Sequence, residues 1–242
     1  MEQRFLRTYK DIMRMNRLEE FASEELAEKF EALTARMLEV NDHMNLTAIR
    51  EIPDIIAKHY ADSLMVAKHI PHKAKIIDIG CGAGFPSLPL AIARPDLNVT
   101  ALDSTAKRVI YIEETVRLLK IYNVTTEVGR AEELARDPHY RERYDFAVAR
   151  AVARLNILCE LCLCYVKPGG VFAAMKADAS DELGDAIDAI FMLGGKLEPQ
   201  DRFKLVLADG SEAAREIVLI SKLKPAPRIF PRNNTLITKK PL

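Results

Sequence analysis

Leu26, Phe30, Leu33, Met37 and Val40 recur at steps of four and three residues, the stripe of a helix that buries one face. The same helical character runs through residues 1–72, a region read as packing rather than chemistry. From Lys75 the period changes, and short apolar runs alternate with longer amphipathic ones. The runs KIIDI (75–79), NVTALD (98–103), VTTEV (124–128), YDFAVA (144–149) and GVFAAMK (170–176) predict strands, and residues 86–94, 104–121, 154–166 and 181–193 predict helices. Such alternation predicts a doubly wound α/β domain over 73–224 with a mostly parallel sheet. Segments 196–207 and 214–223 flank Ala208-Asp209-Gly210, a hairpin signal, so the sheet is expected to end in an antiparallel pair. Residues 225–242 form a basic tail in which Pro225, Pro227 and Pro231 predict an extended strap instead of a helix.

The 242 residues are 49 % hydrophobic and 29 % charged, an ordinary globular composition with enough chain for a sizeable core. The first twenty residues hold no uninterrupted apolar run, and no later stretch approaches the roughly 18 apolar residues of a membrane span. A cytoplasmic monomer with no membrane partner is expected. Cys81, Cys159, Cys162 and Cys164 lack the spread of a disulfide framework; with no histidine nearby, the 159/162 pair suits core packing and no metal is expected. The 35 basic and 35 acidic residues cancel, but residues 221–242 carry six cations and no acid, which leaves −6 in residues 1–220 against +6 in the tail. That asymmetry suits a polyanionic partner, or a merely solvated tail.

The chemistry concentrates after the first predicted strand. In IDIGCGAGFP, Gly80, Gly82 and Gly84 permit a sharp turn and close backbone approach to a nucleotide-type ligand. The G-x-G-x-G spacing places the third glycine one residue early for a dinucleotide clamp. Asp78, two residues before the turn, favours a ligand carrying ammonium and sulfonium charges over one carrying phosphates, which points to S-adenosylmethionine. Asp103 ends the second strand, where a carboxylate can accept both ribose hydroxyls or cap the helix that follows. Glu132, after the third strand, falls beside the adenine edge, or is simply an acid at a helix start. The fourth strand ends in ARAVAR (149–154), without the Asp/Asn-Pro-Pro-aromatic motif of enzymes that methylate exocyclic amines, and no cysteine is placed as a nucleophile for pyrimidine C5. A ring nitrogen with a free lone pair remains, and it needs positioning rather than a base. Arg150 can hold an anion or a base edge bidentately; Arg154 and Lys176, with Arg228 and Arg232 of the tail, are candidate RNA contacts or plain surface charge.

The ordered set NLTAI (45–49), KHYADSL (58–64), IDIGCGAGFP (77–86), LDSTAKR (102–108), RAEE (130–133), ARAVA (149–153), KPGG (167–170) and Met175-Lys176 resembles the small-subunit ribosomal RNA guanine-N7 methyltransferases, the glucose-inhibited division protein B family. The resemblance implies a Rossmann-like enzyme that uses S-adenosylmethionine to methylate N7 of one guanine in 16S rRNA, alone or within the 30S particle. It also implies Gly80, Phe85, Ala131, Glu132 and Arg150 as cofactor contacts, with Asp103 facing the ribose. Three positions depart from the family pattern: Ser87 and Ala177 stand where glycine is usual, and the final segment lacks a Gly and a Pro. A nicotinamide-dependent oxidoreductase would share Asp103 and the glycine turn but lacks a catalytic Tyr-Lys, Ser or His set here. A non-catalytic RNA-binding module would explain the tail and not the turn.

Overall fold

Successive side chains of a strand point to opposite faces, so the apolar runs feed two cores, one on each side of a central sheet. In the computed structural model, which describes residues 2–242, Ile76, Val99, Phe146, Val148 and Ala173 enter one core, while Ile77, Leu102, Ala147, Ala149 and Phe172 enter the other. The strands are β1 (Lys75–Ile79), β2 (Asn98–Asp103), β3 (Val124–Val128), β4 (Tyr144–Arg150), β5 (Val166–Lys176), β6 (Gly195–Leu197), β7 (Asp201–Val206) and β8 (Glu212–Lys222). They lie in the order β3-β2-β1-β4-β5-β8-β6, with β7 also on β8. The first five pair in parallel, and β8 pairs antiparallel with β5, β6 and β7. Strand order reverses between β1 and β4, and a crevice opens there at the carboxyl ends of the strands, the ligand position of doubly wound sheets.

The first core is covered by α1 (Gln3–Met15), α2 (Glu24–Met44), α3 (Ile52–Ile55), a π-helical turn (Ile56–Ala61), α4 (Asp62–Leu64), α5 (Ser87–Ala93) and α6 (Ala106–Leu119). The second is covered by α7 (Ala131–Leu134), α8 (Leu155–Leu163) and α9 (Ser180–Met192). Ser23 caps α2 by accepting from the Leu26 N–H at 3.2 Å. Tyr9 stacks on Phe30 at 5.4 Å, Phe30 packs on Tyr60 at 4.7 Å, and Tyr60 meets Phe85 at 6.1 Å. This aromatic column ties the amino-terminal helices to the glycine turn.

Three expectations are corrected. Helix does not run through all of residues 1–72: Asn45 takes a left-handed φ of 51° that ends α2, and residues 45–51 leave the helix. Segment 196–207 is two strands, since Pro199 interrupts pairing between β6 and β7. The tail is not wholly extended. Beyond Pro231 the proline restriction lapses, and Asn233 caps α10 (Asn234–Lys239) by accepting from the Leu236 N–H at 3.0 Å. Ala226, Phe230 and Ile237 anchor the tail in buried positions.

Candidate active site

The turn after β1 holds Gly80, Gly82 and Gly84 at φ of 74°, 57° and 88°. The N–H groups of Gly80 and Cys81 donate to the Leu102 carbonyl at 2.8 and 3.0 Å, fastening the turn to β2. A Cβ on Gly80 would lie 2.8 Å from Val152 Cγ2, and one on Gly84 would lie 2.6 Å from Leu88 Cδ1. One on Gly82 would meet nothing closer than 4.0 Å. Two glycines thus answer to the chain's own packing, and Gly82 alone fronts open space.

At the end of β2, Asp103 accepts from the Gly82 N–H at 3.0 Å and, through its other oxygen, from the Thr105 N–H at 2.8 Å. The carboxylate therefore braces the turn and the start of α6 together. With Gly80, Ala131 and Glu132 it lines a cleft of about 300 Å³. Glu132 is buried, with Oε1 accepting from Arg130 Nε at 2.9 Å.

Asp78, Gly82, Phe85 and Arg150 do not line that cleft; Arg150, expected as a cofactor contact, lines a neighbouring one instead. Asp78, read above as a direct partner for a cationic ligand, is wholly buried behind the turn. Its Oδ2 accepts from the Ser87 N–H at 3.1 Å and from the Ser87 hydroxyl, so the serine that departs from the family pattern holds this carboxylate. Its Oδ1 has no hydrogen-bond partner among the described residues. Burial pushes its pKa up to about 6, against the lowering influence of Ser87 and Arg150. Phe85 is a packing residue: its ring stacks on His59 at 4.5 Å, and the Arg150 guanidinium sits 5.5 Å from the ring centre on its face.

A second cleft, about 410 Å³, adjoins the first and is lined by Lys58, His59, Asp62, Arg150, Ala151 and Arg215, among others. Ala151 lines both clefts and adopts a left-handed φ of 56° just beyond β4. Asp62 accepts from Arg150 at 3.1 Å and from Arg215 Nε at 2.8 Å, and Arg150 also donates to the Lys58 carbonyl at 3.2 Å. The π-helical turn carries His59 into this group. Such turns recur at functional sites. Burial, followed by the charge of Arg150, lowers the His59 pKa to about 4, so the ring is neutral at physiological pH; Nε2 lies 2.9 Å from Thr47 Oγ1. Asp62 was visible only as a member of KHYADSL. Arg215 lies on β8 in a stretch with no motif, and the sequence carried no signal for it.

The four candidate RNA contacts part company. Arg154 pairs with Asp185 at 2.9 Å on the surface. Lys176 is turned inward, donating to the Ala153 carbonyl and to Glu182, both at 2.7 Å. Arg232 forks onto buried Glu160 at 2.7–3.1 Å. Lys176 and Arg232 are thus corrected to structural cations, because each offsets a carboxylate inside the fold. Arg228 is exposed, with no hydrogen bond or ion pair among the described residues. All four cysteines are buried free thiols whose pKa values are raised by burial.

A glycine turn after β1 and a carboxylate closing β2 of a doubly wound sheet define the Rossmann-like fold of S-adenosylmethionine-dependent methyltransferases. TYW2 of M. jannaschii, solved in complex with AdoMet, shares it with a TM-score of 0.51 at 17 % identity, covering 67 % of this chain and 77 % of that one. The sequence relationship is closer. The family model for rRNA small subunit methyltransferase G, GidB, matches residues 26–204. The ribosomal RNA small subunit methyltransferase G of Clostridium novyi is 44 % identical over 205 residues, 84 % of this chain and 83 % of that one. That of Acetivibrio thermocellus is 41 % identical over 220 residues, 90 % of each. The chain belongs to the rRNA small subunit methyltransferase G family, and the oxidoreductase and non-catalytic readings fall away.

Proposed function

We propose that the chain transfers a methyl group from S-adenosylmethionine to N7 of a guanine in 16S ribosomal RNA, with the adenosine in the Asp103–Glu132 cleft and the target base in the cleft of Arg150. The observation that carries this reading is the meeting of the two clefts at Ala151. A donor in one can thereby face an acceptor in the other. The residues fit the cofactor: Gly80 puts backbone without a side chain in the cleft wall, Asp103 and Glu132 present acceptors, and the unpartnered Asp78 oxygen provides a buried negative charge behind the turn.

Bound S-adenosylmethionine supplies an electrophilic methyl group. Asp103 would accept the ribose hydroxyls, the Gly80 and Ala131 backbones fix the cleft walls, and Glu132 would border the adenosine. Arg150, held by Asp62 and the Lys58 carbonyl, presents its guanidinium to guanine O6, which leaves the N7 lone pair free. Guanine N7 bears no proton, so alignment of the reacting atoms is the whole of the chain's task. Mass spectrometry of 16S rRNA fragments treated with and without the protein tests the reading. One methyl group on a single guanine, at N7, supports it, and unmodified RNA rejects it.

Asp103→Ala should remove charge-assisted hydrogen bonds worth roughly 1.5–3 kcal/mol and weaken S-adenosylmethionine about ten- to a hundredfold. Because Asp103 also holds the Gly82 and Thr105 N–H groups, calorimetry is to be paired with a thermal melt. Unchanged affinity in a folded variant rejects the ribose role. The rate of methyl transfer should be flat above neutrality, since His59 is already neutral there and the thiols are buried and protonated. Changing the four cysteines to Ala or Ser should leave single-turnover chemistry in any variant that folds; its loss with cofactor and RNA still bound would overturn the base-free mechanism.

A further inference from the structure

We infer that a second RNA-binding surface lies at the amino-terminal ends of the parallel strands, opposite the two clefts, where Arg136, Arg141, Arg143 and Arg228 hold the phosphate backbone of the substrate away from the target guanine. The inference rests on the functional reading above. These arginines line a cavity of about 750 Å³ whose other wall is the tail segment around Pro225 and Ile229. Arg141 and Arg143 immediately precede β4, whereas Ala151 follows it. Strand residues advance about 3.3 Å each, so the two sites are roughly 20 Å apart.

What distinguishes this cluster is the nature of its partners. Arg141 donates to the carbonyls of Phe230 at 2.8 Å and Ala226 at 2.9 Å, Arg136 to that of Pro231 at 2.9 Å, and Arg143 to that of Pro138 at 3.0 Å. Neutral carbonyls fix the guanidinium groups without cancelling their charge. Glu142 is the one acid in the lining, and it is already engaged: its Oε1 accepts from the Ala226 N–H at 2.7 Å and lies 3.5 Å from the buried ammonium of Lys222. Arg228 is exposed and unpaired among the described residues. Arg154 and Arg232 meet carboxylates instead, and their charge is offset locally. Four positive charges held around one cavity, three of them in prearranged positions, match a run of phosphates, for which guanidinium groups are the preferred partners.

The test uses the full chain and a 16S rRNA fragment, with affinity followed from 50 to 200 mM salt. Arg143→Gln/Arg228→Gln spares the two arginines that hold most of the tail. It should lower the slope of log affinity against log salt by about 1.5, at roughly 0.7–0.9 for each phosphate that is no longer neutralised, and weaken binding about five- to tenfold at low salt. Cofactor affinity, the thermal melt and methyl transfer at saturating RNA should not change. Arg7→Gln/Arg14→Gln, on the exposed face of α1, removes the same net charge and should leave the slope near that of the unaltered chain. Charge reversal with Arg143→Glu/Arg228→Glu should enlarge the effect. Wild-type affinity and slope in both cavity variants, or shifts equal to those of the α1 pair, overturn the inference. The readout is binding, so a chain that binds through this cavity but leaves the RNA unmethylated sinks the functional reading alone.

Discussion

Replacing Arg232 with alanine is expected to destabilise the fold by about 3–5 kcal/mol, because the change strips the counter-charge from a buried carboxylate. Glu160 is 1 % exposed and accepts from Arg232 through Nε, Nη2 and the backbone N–H, the last at 2.6 Å. Alanine would leave that charge on the buried face of α8 uncompensated. Urea denaturation reads the loss as a lower midpoint at unchanged slope. Glu160→Gln in the same background should recover part of it by removing the stranded charge. A variant within about 1 kcal/mol of the parent would show that Glu160 gains other partners or water. RNA affinity separates this role from the one suggested by the tail's charge: folded Arg232→Ala should keep the parent's salt dependence, since its guanidinium was never available to a phosphate.

That contrast marks where the sequence was legible. β1, β2 and β3 fall on their predicted residues because each is a short apolar or β-branched run closed by polar residues. β5 begins at Val166 and not Gly170: Lys167-Pro168-Gly169 lies outside the predicted strand, yet it continues β5 through a register shift against Tyr144 and Phe146. Asp103 could be found because its distance from the glycine turn is a local property of one strand–helix–strand unit. The Asp62 bridge could not. Its partners, Arg150 and Arg215, lie 88 and 153 residues away, and only the antiparallel placement of β8 beside β5 brings Arg215 to the cleft. The tail misled for a related reason: a tally of charge along the chain counts Arg232 as free, although its carboxylate comes from α8, 72 residues earlier. Ser87 was noted as a departure and its consequence was hidden, because nothing local says that its hydroxyl will meet Asp78.

Asp78→Asn should expose how that buried carboxylate couples stability to the cofactor. The folded-state pKa of Asp78, about 6, lies above the ordinary 3.8, so at pH values between them the folded chain holds a proton that the unfolded chain has released. The resulting stability is fully present below pH 3.8, declines as pH rises through about 6, and is then gone. The whole change amounts to about 3 kcal/mol. Asparagine cannot ionise, so the stability of the variant minus that of the parent should rise by that amount between about pH 4 and 7. Taking the difference cancels the titrations the two chains share. The gain at neutral pH is reduced by the asparagine amide, whose N–H groups inherit the site of the unpartnered Oδ1 and cost roughly 1–3 kcal/mol if unmet. S-adenosylmethionine carries two positive charges. Its binding in front of the turn should favour ionised Asp78, flatten the parent's pH dependence, and be weaker in the variant. Denaturation curves collected at several pH values, with and without the cofactor, measure both effects. Parallel stability profiles for the two chains would place the Asp78 pKa near its ordinary value, and equal cofactor affinities would remove Asp78 from the binding of the cation.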